Sequence, residues 1–199
     1  MSEQAQQSLL VYRIKFVALI LVFLLPFIAG WLAFYVFELR PGTRNYGELV
    51  VPVRQLQLSP LTSVNGETLS ADFWHKWTFV VVDNQGCQQS CRNNLYYLRQ
   101  LRIALGRDTD RVQNLLLLAG EAEPALRQYL VDFPKLNTVA NTARDFIEQF
   151  SLPGIPAGEQ AVVYLVDPRG NLMMTYPAEN DPSSILSDLR RLLKVSQIG

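Results

Sequence analysis

The chain is poor in the residues that build metal clusters and disulfide frameworks. Its 199 residues include two cysteines and one histidine, too few for a multi-cysteine zinc site or a set of several bridges. It also lacks net charge, since 18 basic residues balance 18 acidic ones. That balance removes the electrostatic footprint of a nucleic-acid binder, so no nucleic-acid partner is expected. No glycine-rich phosphate loop, paired-carboxylate signature, serine triad or zinc-ligand spacing is present, which leaves hydrolase and phosphoryl-transfer readings without residues to perform them.

The most conspicuous feature is an apolar run, FVALILVFLLPFIAGWLAFYVF, from Phe16 to Phe37 without a charge. That is about the length of one bilayer-spanning helix. It exceeds the ~7 to 15 residues of a signal-peptide core. Pro26 is tolerable in a membrane helix, and Trp31 and Tyr35 stand where interfacial anchors occur. Arg13 and Lys15 precede the run, while Arg40, Arg44 and Arg54 follow it, so charge alone leaves orientation open. A close cysteine pair as the whole cysteine content fits an oxidising compartment. The expected arrangement is a single pass through the inner (cytoplasmic) membrane, with the N-terminus inside and the C-terminal domain in the periplasm. The expected divisions are a tail over 1–15, a transmembrane helix over 16–37, a linker and edge segment over 38–58, and an extracytoplasmic domain over 59–199.

Beyond the linker, LVVPVRQLQL alternates as an extended segment does, with Pro52 limiting it to an edge or a bulge. A turn is expected at Asn65-Gly66. WTFVVVD, Trp77 to Asp83, reads as a strand buried on both faces. NNLYYLRQLRIALG follows with Leu95, Leu98, Leu101 and Leu105 at helical spacing and a stop at Gly106. VQNLLLLAG is a second strand and EPALRQYLVDF a second helix. LNTVAN is a weaker strand candidate, and TARDFIEQFSL a further helix. AVVYLVD and NLMMTYP form a hairpin across Pro168-Arg169-Gly170, and a last amphipathic helix starts near Asp181. This order gives an α/β sandwich, a mixed sheet flanked by helices, which matches a thioredoxin-like fold preceded by a single transmembrane helix.

Both cysteines lie in NQGCQQSC, Asn84 to Cys91, between the first core strand and its helix. They are candidates for a redox pair, half of a metal site, a structural staple or buried filler. The polar loop around them argues against filler, and so short a loop restrains the unfolded chain little. A helix N-terminus lowers a thiol pKa and raises the thiolate fraction that exchanges disulfides or binds soft metals. Residues four apart on a regular helix hold their Cβ atoms ~5 to 6 Å apart, whereas a disulfide wants ~3.5 to 4.5 Å. A bridge therefore requires Cys87 to sit outside regular helix.

The anchor, the KWTFVVV strand, the C-x-x-x-C that opens the next helix, and YLVDPRGNLMMTYP with its terminal helix together resemble the Sco/SenC family. These are membrane-anchored, thioredoxin-fold proteins that help build the copper centre of cytochrome c oxidase. The resemblance runs from the anchor to the end of the chain. It implies thiol-disulfide exchange or Cu(I) binding through Cys87 and Cys91, with no cofactor required for exchange. It also implies a respiratory oxidase subunit or another assembly factor as partner.

At the position of the family's metal-holding histidine stands Glu159, and Arg92 replaces the usual proline after the second cysteine. The resemblance is thus to a divergent member. Glu159 is a candidate thiol-proton acceptor if partly buried. Exchange by Cys87 as attacking thiol and Cys91 as resolving thiol is the expected mechanism, Cys87 being nearer the exposed loop. A Cu(I) chaperone or a non-catalytic scaffold are its alternatives. His75 is expected at the far end of the first core strand. Met173 and Met174 should point to opposite faces. TlpA-type reductases share the fold but resemble one another in C-x-x-C spacing.

Overall fold

A computed structural model describes residues 3–35, 45–57, 60–69, 71–177 and 181–196. The chain divides into two compact units, 1–44 and 45–199.

The described residues of the first unit form a helix, α1 (Glu3–Tyr35). Its 21-residue stretch Tyr12–Leu32 is long and apolar enough to cross a membrane. Residues 3–15, where a tail is expected, are helical and continuous with the apolar stretch. EQAQQSLL contains good helix formers and neither glycine nor proline, so nothing in it stops propagation. The expected end at 36–37 and the linker's first residues lie outside the described residues.

The second unit contains β1 (Glu48–Gln55), β2 (Leu61–Thr62), β3 (Thr68–Leu69), β4 (Trp77–Asp83), α2 (Gln89–Ala104), β5 (Val112–Leu118), α3 (Pro124–Leu130), β6 (Leu136–Val139), α4 (Arg144–Glu148), β7 (Val163–Val166), β8 (Asn171–Tyr176) and α5 (Pro182–Val195). Six strands form one sheet in the order β1-β8-β7-β4-β5-β6, and β2 and β3 form a small hairpin. β4 pairs parallel with β5 and antiparallel with β7. All seven β4 residues are buried. Trp77, Phe79 and Val81 face a core shared with Leu95 and Leu98 of α2 and Leu189 of α5. Val80 and Val82 face a second core with Phe146 and Phe150. Each such apolar side chain contributes ~1.5 to 3 kcal/mol by leaving water.

Within the segment expected as linker and edge, β1 is an edge strand paired with β8. Its approach is held by Asp188 of α5, whose Oδ2 accepts the Tyr46 and Gly47 N–H groups at 2.8 and 2.9 Å. Only glycine fits at 47, because a Cβ there would lie 2.5 Å from the Tyr176 ring. Pro52 sits where the β1–β8 register shifts between Leu49 and Arg54, as a strand proline should. The same region overturns the expectation for the methionines. β8 shifts by one residue between its Leu172 and Met174 pairings with β7, and this bulge reverses the alternation. Leu172 faces the second core, whereas Met174 lies in the first and Met173 packs against it. The expected helix TARDFIEQFSL shrinks to α4, and the chain continues in tighter i to i−3 bonds, such as Phe150 N–H to Ile147 O at 2.9 Å.

Tyr164 of β7 is buried, and its hydroxyl makes no hydrogen bond. Burial pushes its pKa up to about 12. The fold accepts the neutral phenol, so this contribution to stability is complete below the free tyrosine value of about 10 and is lost as pH rises through it toward the folded value. Tyr164→Phe should therefore flatten the alkaline fall in thermal midpoint over that window, and leave neutral stability equal or raised by about 1 kcal/mol. An equally steep fall in the variant would contradict this.

Candidate functional site

β4 ends at Asp83 and α2 begins at Gln89. The loop between them reverses the chain so that α2 can run back over the sheet. Asp83 directs the turn: its Oδ1 accepts the Gln85 N–H at 2.9 Å and the Cys87 N–H at 2.6 Å. Gly86 has φ +82° and Cys87 φ +53°. The left-handed region is natural for glycine and costs another residue roughly 1 to 2 kcal/mol. Cys87 is thus outside regular helix, as a bridge requires, and Cys91 is the third residue of α2. The two sulfurs form a disulfide with the Cα atoms 5.0 Å apart.

The far side of the loop is held by Arg92. Its Nε donates to the Cys87 carbonyl at 3.1 Å. The guanidinium lies 5.2 Å from the centroid of the Tyr129 ring, and the Tyr129 hydroxyl donates to the Arg92 carbonyl at 3.3 Å. Burial, ahead of nearby charges, raises the Tyr129 pKa. Asn94 Nδ2 donates to the Ala161 carbonyl at 3.0 Å, tying α2 to the segment before β7. None of Asp83, Asn94 and Tyr129 was expected at the site. An aspartate ending a strand four residues before Cys87 is a readable turn signal, but the partners of Arg92 and Asn94 are remote in sequence.

The structure corrects one expectation about reactivity. Cys87 was placed nearer the exposed loop, yet it is 0% exposed and Cys91 2%, both within the first core. Asn84, Gln85, Gln88 and Gln89 around them are exposed. The left-handed turn at Cys87 carries its side chain inward to meet Cys91, which faces the sheet. The disulfide is consequently covered, and the loop must open before a partner sulfur reaches it.

Glu159 is exposed, so the partial burial that would suit it to accept a thiol proton is absent. It lines a cavity of about 720 Å³ with Asn84, Thr142, Arg144 and Glu148. This cavity lies beyond the carboxyl ends of β4, β5 and β6 and shares Asn84 with the cysteine loop. Arg144 Nε and Glu148 Oε1 are 3.1 Å apart there. His75 precedes the opposite end of β4, exposed and 3.7 Å from Asp72. Among the described residues, no three His, Cys, Asp or Glu side chains gather as a metal site. The soft donors at the loop are two sulfurs, and Glu159 offers a hard carboxylate, a poor Cu(I) ligand. This set does not fit a resident copper centre with a third protein ligand.

Asp83→Ala should leave two loop N–H groups unsatisfied, at ~1 to 3 kcal/mol, and thereby expose the disulfide. Reduction by dithiothreitol, followed by thiol alkylation, is expected to be faster than in the parent. An unchanged rate would mean that Asp83 does not hold the loop closed.

The geometry can be set beside known proteins. No curated protein matches the sequence. Copper-bound ScoI of Bradyrhizobium japonicum is 22% identical, covering 66% of this chain and 95% of its own, with a TM-score of 0.53. BsSco, a member of the Sco family of cytochrome c oxidase assembly proteins in which a disulfide switch is identified, is 17% identical, covering 75% and 99%, with a TM-score of 0.54. A thioredoxin-family thiol:disulfide interchange protein from Chlorobium tepidum TLS is 16% identical, covering 70% and 97%, with a TM-score of 0.54. These likenesses establish a thioredoxin fold of the kind found in Sco proteins. Residues 77–196 match the model of the transmembrane-like, thioredoxin-like C-terminal domain, and the chain belongs to that family.

Proposed function

We propose that this is a single-pass membrane protein whose Sco-like domain assists assembly of the cytochrome c oxidase copper centre by thiol-disulfide exchange through Cys87 and Cys91. The N-terminus lies in the cytoplasm and the domain in the periplasm. The observation that carries the reading is the Cys87–Cys91 disulfide at the junction of β4 and α2. A thiolate there gains from the backbone N–H groups opening α2. Copper-site cysteines must be reduced to bind metal, so a partner holding them as a disulfide needs two electrons.

In the reduced protein, the Cys87 thiolate attacks one partner sulfur. A mixed disulfide forms as the partner's other sulfur leaves as a thiolate and takes up a proton. The Cys91 thiol loses its proton and displaces the partner from Cys87, forming the Cys87–Cys91 bond. Partner disulfide becomes dithiol and this pair is oxidised, the state that the structure holds. A donor dithiol resets it. Arg92, through the Cys87 carbonyl, and Asp83, through the Cys87 N–H, position the loop. Glu159 is an exposed group in the neighbouring cavity, available to a docked partner. Copper in this reading is the partner's cargo.

In the full chain, Cys91→Ser should trap a mixed disulfide with the oxidised copper-site subunit of a respiratory oxidase. Cys87→Ser should trap none, and both variants should lose turnover. Undiminished exchange in both would remove the mechanism. Oxidase assembly supported by a double serine variant would replace it with a scaffold role.

A further inference from the structure

A second cavity lies along α2, from Leu95 to Ile103. Its volume is about 250 Å³, and Leu95, Ile103, Phe133 and Leu136 supply its apolar wall. Arg99, Arg102 and Lys135 are the charged residues of its lining, and all are cationic. Arg102 stands eleven residues beyond Cys91 on the same helix, ~16 Å along the axis. The cavity's lining runs from Leu95, about one turn beyond Cys91, to this rim, and includes neither cysteine.

Its floor contains an unmatched polar group. Asn114 of β5 is 5% exposed, and its Oδ1 is buried without a hydrogen-bond partner. Val112, Leu116 and Leu118 of the same strand belong to the core beneath α2, so alternation directs Asn114 toward that face. There it meets the cavity. A buried amide oxygen with no partner costs ~1 to 3 kcal/mol, and a ligand donor placed in the cavity removes that cost.

The cations are arranged around the opening. Arg102 donates one N–H to the Lys135 carbonyl at 3.2 Å. The Arg99 guanidinium lies 5.5 Å from the Phe133 ring centroid. Desolvation lowers the Arg102 pKa, against the opposing effect of Asp110 nearby, so its charge is partly stripped of water. Asp110 is not part of the lining. An apolar chamber with a cationic rim and a polar floor matches one ligand chemistry.

We propose that this cavity binds a small amphiphilic anion that carries a hydroxyl, its carboxylate or phosphate head between Arg99, Arg102 and Lys135, its apolar body against Leu95 and Phe133, and its hydroxyl donating to Asn114 Oδ1. Such a ligand has two sources, a soluble short-chain acid or a lipid-derived chain. The Arg fork suits either head.

The test is calorimetric titration of the full chain in phosphatidylcholine nanodiscs, with empty nanodiscs subtracted. 8-Hydroxyoctanoate should bind saturably at one site, at least about tenfold more tightly than neutral 1,8-octanediol, and the R99Q/R102Q double variant should lose about tenfold in affinity. Asn114→Leu should also weaken binding. The partly exposed arginine pair provides the deciding variant if Asn114→Leu does not fold. 8-Hydroxyoctanoate favoured over 16-hydroxyhexadecanoate identifies a soluble source, and the reverse a lipid source. No saturable 8-hydroxyoctanoate binding, or binding unaffected by R99Q/R102Q, would overturn the site.

Discussion

The arrangement depends on covering β4 on both faces. All seven of its side chains are buried, so one helix layer cannot suffice. The chain must turn back over the sheet immediately after Asp83, and α2 supplies the cover with Leu95 and Leu98. The turn that makes this possible has few residues in which to reverse direction. It uses two consecutive left-handed positions, an aspartate accepting two loop N–H groups, and a cross-link to the third residue of the helix. The cysteine pair therefore occupies the point where the core demands the tightest change of direction.

Its placement joins two opposed needs. Thiol chemistry favours the N–H groups of a helix N-terminus, whereas packing favours a closed loop. In the oxidised protein, packing prevails: the sulfurs are covered while the neighbouring polar residues remain exposed. Arg92 shows how a departure from the Sco pattern is accommodated. Where the resemblance expects proline, its guanidinium holds the Cys87 carbonyl and lies over Tyr129. Glu159, where the resemblance expects histidine, has no such compensation in donor chemistry, since it offers a hard carboxylate.

Much of the fold was legible because local pattern and burial coincide. WTFVVVD was readable as a doubly buried strand, the α2 leucines by their spacing, and α5 by its start at Asp181, whose side chain accepts the Ser183 N–H. The failures fall where distant contacts decide. The bulge of β8 against β7 reversed the methionine alternation, α4 stopped after five residues, and Asp188 of α5 holds the Tyr46 and Gly47 N–H groups ahead of β1. At the site, the need for Cys87 to leave the helix was readable from cysteine spacing. The inward turn of its side chain was not, since it follows from the backbone conformation at Gly86 and Cys87.

The most direct measurement is the reduction potential of the Cys87/Cys91 pair in the full membrane-embedded chain, by equilibration with glutathione buffers and thiol counting. Exchange through this pair predicts a value between about −120 and −270 mV, the range of exchange-active dithiols. A value below about −300 mV would identify a structural bridge resistant to reduction, and would contradict the assignment of Cys87 and Cys91 to electron exchange.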